Sequence, residues 1–329
     1  MKIIALEEHF ILPREEQNLP PGAHRGNDRE KLLGIDTVTE LLDLGERRLA
    51  AMDAGGIDVQ VLSHNQPGCQ ALTGAAAIDT AREVNDCLCE AIKAHPDRFA
   101  ALAALPTAEP AAAVRELERA IGKLGFKGAM INGRGGESFL DDERYWCIFE
   151  CAESLDVPIY LHPSRPHTLV MQTCFTGYEE LALAPWGFAI ETGLHFLRLA
   201  LAGVFDAFPR LTIILGHLGE GLPFMLHRIN DHTRMATARR GLERSLAQYL
   251  TENLVVTCSG NFSGPAFLCT VAALGVDNVL FSVDWPYESN LAAVKFLEGQ
   301  PLAPSDLEKV AHLNAERILR LRMGGEVCL

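Results

Sequence analysis

Glu7 and His9, His162, His217, and Asp284 stand at the ends of four apolar runs, IIALEEHF, VPIYLHP, LTIILGH and NVLFSVDWP. An ionised carboxylate at the end of a buried strand needs a partner, because burial without one is costly. Carboxylate oxygens together with imidazoles suit a divalent ion such as Zn²⁺ or Mn²⁺, and no thiolate accompanies them. Along an extended strand alternate side chains share a face, so Glu7 and His9 project together and Glu8 projects the other way. Glu220 follows His217 by three residues, where a turn brings its carboxylate to one ring nitrogen and fixes the tautomer. Taken singly, each residue has an ordinary explanation as a solvated strand end or a satisfied core histidine. Their joint occurrence at four strand ends points to metal-assisted chemistry.

The elements that must position them follow from the hydrophobic pattern. Eight runs read as strands: Ile3–Glu8, Val59–Ser63, Ala100–Leu105, Gly128–Asn132, Ile159–His162, Thr212–Gly216, Leu254–Ser259 and Val279–Val283. Most are apolar throughout, as strands covered on both faces are. Helical spacing lies between them over Asp79–His95, Glu109–Leu124, Arg144–Leu155, Thr192–Phe208, Pro265–Gly275 and Ser305–Leu321. Strands alternating with helices predict an α/β protein with a parallel sheet. A doubly wound open sheet competes, but EEHFILP after the first strand has no glycine with which to cradle a dinucleotide. A (β/α)₈ TIM barrel in a single domain over 1–329 is the expected fold, because its C-terminal rim gathers all the strand ends. Two long irregular stretches, 12–36 and 164–185, are expected to overhang that rim.

Composition narrows the partners. The 329-residue chain is 48% hydrophobic, with a formal charge of −14 and a pI near 5.2. That acidity disfavours nucleic acid or an anionic membrane as partner. Nine cysteines, an odd number, lie mostly in apolar stretches and read as reduced thiols. Cys87 with Cys89 and Cys147 with Cys151 have no second pair to complete a zinc site. The apolar start is too short for a signal peptide and no run is long enough to span a membrane, so a cytoplasmic protein is expected. Among the other histidines, His95 and His312 read as surface residues and His195 as packed. His24, His64 and His167 fall in rim loops near a substrate.

EEHF, LHP, GHLGEGLP and SVDWPYE, with PDRFAALAALP, SGNF and NAERILRL, resemble the metal-dependent aromatic decarboxylases of the amidohydrolase superfamily, nearest the γ-resorcylate (2,6-dihydroxybenzoate) branch. The resemblance implies a carboxy-lyase acting on an ortho-hydroxybenzoate-type acid, in a homodimer or homotetramer. It implies that Glu7, His9, His162 and Asp284 hold one divalent metal ion. It makes Asp284 the proton donor, His217 and Glu220 its relay, and Arg228 and Asn132 neighbours of a small aromatic carboxylate. The fourth strand ends AMING and carries no lysine there, so a mononuclear site is implied. The loops LPPGAHRGND and NGRGGESFLDD depart from the resembled pattern and bear on the choice of acid. A mononuclear hydrolase of a cyclic ester or amide, and a non-catalytic ligand-binding barrel, are the alternatives.

Overall fold

The computed structural model describes residues 1–18, 36–136 and 138–321. Among the described residues nine parallel strand segments form in chain order: β1 Ile4–Phe10, β2 Val59–His64, β3 Phe99–Ala101, β4 Ala103–Ala104, β5 Ala129–Asn132, β6 Ile159–His162, β7 Ile213–Leu215, β8 Leu254–Thr257 and β9 Val279–Leu280. They pair as β1-β2-β3 and as β4 through β9 in sequence order. β3 and β4 are the two halves of the expected third strand. At Leu102 the chain stops bonding β2 and turns to its other neighbour: Leu102 N donates to Leu62 O at 3.0 Å, and Ala103 N to Gly128 O at 2.9 Å. A single parallel bridge, Leu6 to Ser282, joins the last strand back to the first. The result is the (β/α)₈ barrel expected from the pattern.

Two apolar layers explain why these residues choose strands. Inside the barrel, Ile4, Leu6, Val59, Val61, Leu102, Met130, Tyr160, Ile214, Val255 and Leu280 fill the axis, at least one from every barrel strand. The alternate residues, such as Ala5, Leu62, Ala129 and Ile213, face outward onto the helices with Leu117, Phe149, Phe196 and Phe267. Each fully buried Leu or Phe contributes roughly 1.5–3 kcal/mol.

Helices cover the outside over Gly74–Ala94, Pro110–Gly122, Trp146–Leu155, Gly187–Ala202 and Gly264–Leu274. The expected helix Thr192–Phe208 is broken at Gly203, whose φ of 90° ends one helix and begins the short Val204–Ala207 turn. The stretch 164–185 is not irregular throughout, since it contains the helix Thr168–Cys174 and a 3₁₀ turn at Glu179–Ala182. Of the loop 12–36, the first part is a 3₁₀ turn, Pro13–Asn18. His24 and all of Leu19–Asp28 lie outside the described residues.

Candidate active site and metal centre

Simple alternation would not bring Glu7 to the barrel axis. Ile4 and Leu6 already point inward, so Glu7 should face out. A β-bulge corrects this. Ala5 pairs with Gln60 but Glu8 pairs with Leu62, so three steps on β1 match two on β2. The extra residue is absorbed at Glu7, whose φ is 62°. Such a bulge re-aims the side chains beyond it. Past the bulge, Glu7 and His9 share the inward face as expected and Glu8 points out.

The other side chains arrive by strand parity and by similar kinks. His162 lies two residues after the inward Tyr160 on β6. His217, Glu220 and Asp284 follow β7 and β9 with φ of 52°, 56° and 77°. Left-handed conformations in non-glycine residues cost roughly 1–3 kcal/mol each and persist only where surrounding structure fixes them. Here they cluster on the candidate catalytic side chains.

These residues converge. His162 Nε2 is 3.2 Å from Glu7 Oε1 and His9 Nε2 is 3.2 Å from Asp284 Oδ1. His217 Nε2 is 3.8 Å from both Glu7 Oε1 and Asp284 Oδ2. Ligand atoms of Glu7, His9 and His162 lie within 4.8 Å of one another, as do those of Glu7, His217 and Asp284. Glu7 Oε1 and His9 Nε2 are buried and complete no hydrogen bond among the described residues. Orphaned buried atoms facing one centre are what a cation's donor set looks like without the cation, and the mixed N/O donors fit a divalent ion.

Outer contacts orient the rings. Pro163 O accepts from His162 Nδ1 at 2.8 Å, which leaves Nε2 free to ligate. Ser63 Oγ is 3.3 Å from His9 Nδ1. Tyr160 OH donates to Glu7 Oε2 and lies 2.9 Å from Thr257 Oγ1. A Cβ at Gly216 would come within 2.7 Å of Glu7 Oε2, so only glycine leaves room for that carboxylate. Glu8, on the outer face, accepts from Val283 N at 3.0 Å and Trp285 N at 3.3 Å, either side of Asp284. Beside it the fully buried Arg48 donates to His9 O at 2.6 Å, Glu40 O at 3.1 Å, Asp43 O at 2.8 Å and Gln60 Oε1 at 3.3 Å.

The electrostatics put a proton on His217. Burial opposes its charge, but Glu220, Glu7 and Asp284 hold its pKa well above the usual imidazole range. Burial likewise opposes ionisation of Asp284, yet hydrogen bonds to His217 and His9 keep it well below the usual carboxylate range. Glu7 is also lowered, against burial, by His217 and His162. Burial lowers His9, keeping it neutral and able to ligate. Glu8 is pushed up by burial to about 8.

The remaining expectations fare variously. Asn132 is buried beside His162, with which it pairs in register, and its Nδ2 donates to His64 O at 3.2 Å. Arg228 is exposed on the helix Leu222–Arg240 and forms no hydrogen bond or ion pair with the cluster. His64 is not in a loop: it is the buried last residue of β2, and its Nε2 is 2.9 Å from Glu15 Oε2. His167 caps the helix Thr168–Cys174 by accepting from Leu169 N. His195 is packed as expected, accepting from Leu140 N at 2.9 Å. His95 and His312 are half-buried rather than on the surface, against Phe99 and Glu316 respectively. Tyr160, two residues before His162 on the same strand, could have been found by strand parity, whereas nothing local marks Ser63 on β2 or Arg48.

The amidohydrolase family model matches residues 35–321. A γ-resorcylate decarboxylase from Rhizobium radiobacter is 39% identical over 327 residues, covering 97% of this chain and 98% of its own length. A crystal structure of 2,6-dihydroxybenzoate decarboxylase with 2,6-dihydroxybenzoate is similar with a TM-score of 0.89 at 38% identity, over 97% of this chain and 99% of that one. A dihydroxybenzoic acid decarboxylase from a Polaromonas species, with manganese and 2-nitroresorcinol bound, has a TM-score of 0.90 at 36% identity over 97% of both chains.

Proposed function

The chain belongs to the amidohydrolase family, and from that membership we propose that it is a metal-dependent carboxy-lyase that removes CO₂ from ortho-hydroxybenzoate-type acids without oxidation. The observation that carries this reading is the cluster of Glu7, His9, His162, His217 and Asp284 at the barrel mouth, the first three buried and the last two partly open. Glu7, His9, His162 and Asp284 would hold one divalent ion, Zn²⁺ or Mn²⁺. When bound, the ion supplies a positive anchor for the substrate carboxylate and its neighbouring phenolic oxygen.

The chain's own residues supply the proton. His217 holds one at Nε2, facing Asp284 Oδ2 at 3.8 Å, while Glu220 grips Nδ1 at 2.8 Å. Transfer to Asp284 sets an acidic proton at the axis, where it is delivered to the ring carbon bearing the carboxylate. That step breaks the aromatic system. Cleavage of the carbon–carbon bond releases CO₂, and its electron pair restores the ring. The ortho hydroxyl feeds electron density into the carbon being protonated, so the same chemistry runs in reverse. Asn132 would contact the ring and Arg228 the carboxylate. By resemblance, 2,6-dihydroxybenzoate is the first acid to test, with 2,3-dihydroxybenzoate after it.

The chain is read as one barrel domain over 1–329. Among the described residues no helix is long and apolar enough to cross a membrane, and the described cysteines are free, in keeping with a cytoplasmic enzyme. Phe224 at 81% exposure and Met235 at 68% share one helix face with Leu268 nearby in the fold's outer layer, and they support a homodimer or homotetramer. Turnover in D₂O tests the chemistry: one deuterium should appear at the carbon that lost CO₂. A product still holding its carboxylate, or hydrolysed elsewhere, would overturn the decarboxylase reading.

A further inference from the structure

Asp284 meets two demands at once, with Oδ1 3.2 Å from His9 Nε2 and Oδ2 3.8 Å from His217 Nε2. Yet it stands four residues past Leu280, the last residue of β9. Its φ of 77° is a left-handed conformation that surrounding structure must fix in an aspartate. The Tyr287 and Glu288 amides hold its carbonyl at 2.8 and 3.1 Å. The amides of its two neighbours go elsewhere, to a single carboxylate. Val283 N donates to Glu8 Oε1 at 3.0 Å and Trp285 N to Glu8 Oε2 at 3.3 Å. Backbone amides around a left-handed residue form a concavity suited to an anion. Here the chain fills it from β1 with its own carboxylate.

Glu8 is built for this place. The bulge at Glu7 sends it outward while Glu7 and His9 face the axis. The same irregularity that assembles the ligands therefore sets a carboxylate behind Asp284. Glu8 is fully buried. Gln60 Nε2 donates to its Oε2 at 3.3 Å and Ser282 Oγ lies 3.5 Å from its Oε1, so each oxygen faces two donors. Gln60 Oε1 accepts in turn from Arg48 Nη1 at 3.3 Å. Glutamine in place of Glu8 would turn an NH₂ donor against an N–H donor. Among the described residues the Glu8 side chain makes no hydrogen bond to any of the five cluster side chains. Its route to the centre is the backbone on either side of Asp284.

We propose that Glu8 is the positioning residue for Asp284: its carboxylate fills the concavity of the kink and fixes the orientation that serves the ion site with Oδ1 and His217 with Oδ2. The catalytic consequence rests on the decarboxylase reading, whereas the consequence for metal binding does not.

A double-mutant cycle of E8Q with D284G tests the assignment, because glycine adopts the φ of the kink without strain and removes both aspartate oxygens. Manganese titration should show the ion bound about tenfold more weakly in E8Q than in wild type, and within about twofold in E8Q/D284G and D284G. The visible absorption of cobalt-loaded protein should shift in E8Q and coincide in D284G and E8Q/D284G. At saturating metal, kcat in E8Q should fall by about a hundredfold while KM changes by less than about threefold. Q60M, which removes one donor to Glu8 and leaves the carboxylate in place, should weaken metal binding about threefold, and it carries the same cycle should E8Q not fold. Unchanged metal affinity in both variants overturns the assignment. So does an equal loss in the wild-type and D284G backgrounds, since Glu8 would then act through β1 alone. Coupling retained with no CO₂ released by wild-type protein from any ortho-hydroxybenzoate would refute the decarboxylase reading and leave the role of Glu8 standing.

Discussion

Replacing Arg48 with methionine should destabilise the protein and loosen the metal centre together. The side chain is fully buried and serves four acceptors, three of them backbone carbonyls, including that of His9. Hydrogen bonds from a charged donor contribute about 1.5–3 kcal/mol each, so the set is worth on the order of 6–12 kcal/mol. Against this, burial has lowered the guanidinium to about 10, which corresponds to a cost of roughly 3 kcal/mol for its charged form. Methionine removes that cost and keeps most of the volume, but it strands buried carbonyls that water does not reach. A net loss of about 3–5 kcal/mol follows, the range seen when one member of a buried polar network is deleted. Denaturant melts of metal-free protein measure it without linkage to the ion. Zinc or manganese titration should show affinity lower by about tenfold, because the end of β1 that carries His9 is no longer clamped. A loss below about 1 kcal/mol, or unchanged metal affinity, would refute the idea that Arg48 fixes this strand end.

Three further outcomes are expected. Ser63→Ala, which removes the oxygen 3.3 Å from His9 Nδ1, should weaken metal binding about tenfold by titration while the fold melts within about 1 kcal/mol of wild type. His217→Asn should retain stoichiometric metal by elemental analysis and lose at least a hundredfold in kcat, since the ring carries the proton; loss of the ion instead would make His217 a ligand. The proton on His217 is fully present below the free imidazole range near 6.5 and is lost as pH rises through its raised folded value, so kcat/KM should fall on the alkaline side. In Glu220→Gln, where the first of the charges that raise it is gone, that alkaline limb should move toward neutral pH. An alkaline limb at the same pH in both proteins would remove His217 from the proton path.

Much of this was legible because parallel barrel strands announce themselves as unbroken apolar runs, and a carboxylate or imidazole at the end of one stands out. His162 is the plainest case, two residues after the inward Tyr160 on a straight strand. Where the backbone departs from regularity, pattern reading loses its grip. Val279–Val283 shortens to Val279–Leu280, because Ser282 meets only a bulged neighbour and makes a single bridge. Glu8 was correctly turned away from the ligands, but its role in holding the amides on both sides of Asp284 joins residues some 275 positions apart. Arg48 was invisible for the same reason: three of its four acceptors are backbone carbonyls, which carry no residue identity. Arg134 sat in the loop that departs from the resembled pattern, yet its pairing with Glu191 required the folded chain to reveal it.

The bulge at Glu7 works as a reading frame. The three letters Glu-Glu-His carry two possible presentations to the barrel axis, one carboxylate alone or a carboxylate with an imidazole, and a single surplus residue selects between them. A one-residue deletion in Ile4–Leu6 would absorb the surplus and keep Glu7 and His9 inward. If β1 instead paired straight through with no residue removed, Glu8 would take the inward place and the centre would be silenced with every ligand still in the sequence. Transplanting the motif onto another barrel would fail in the same way unless the kinked backbone travelled with it.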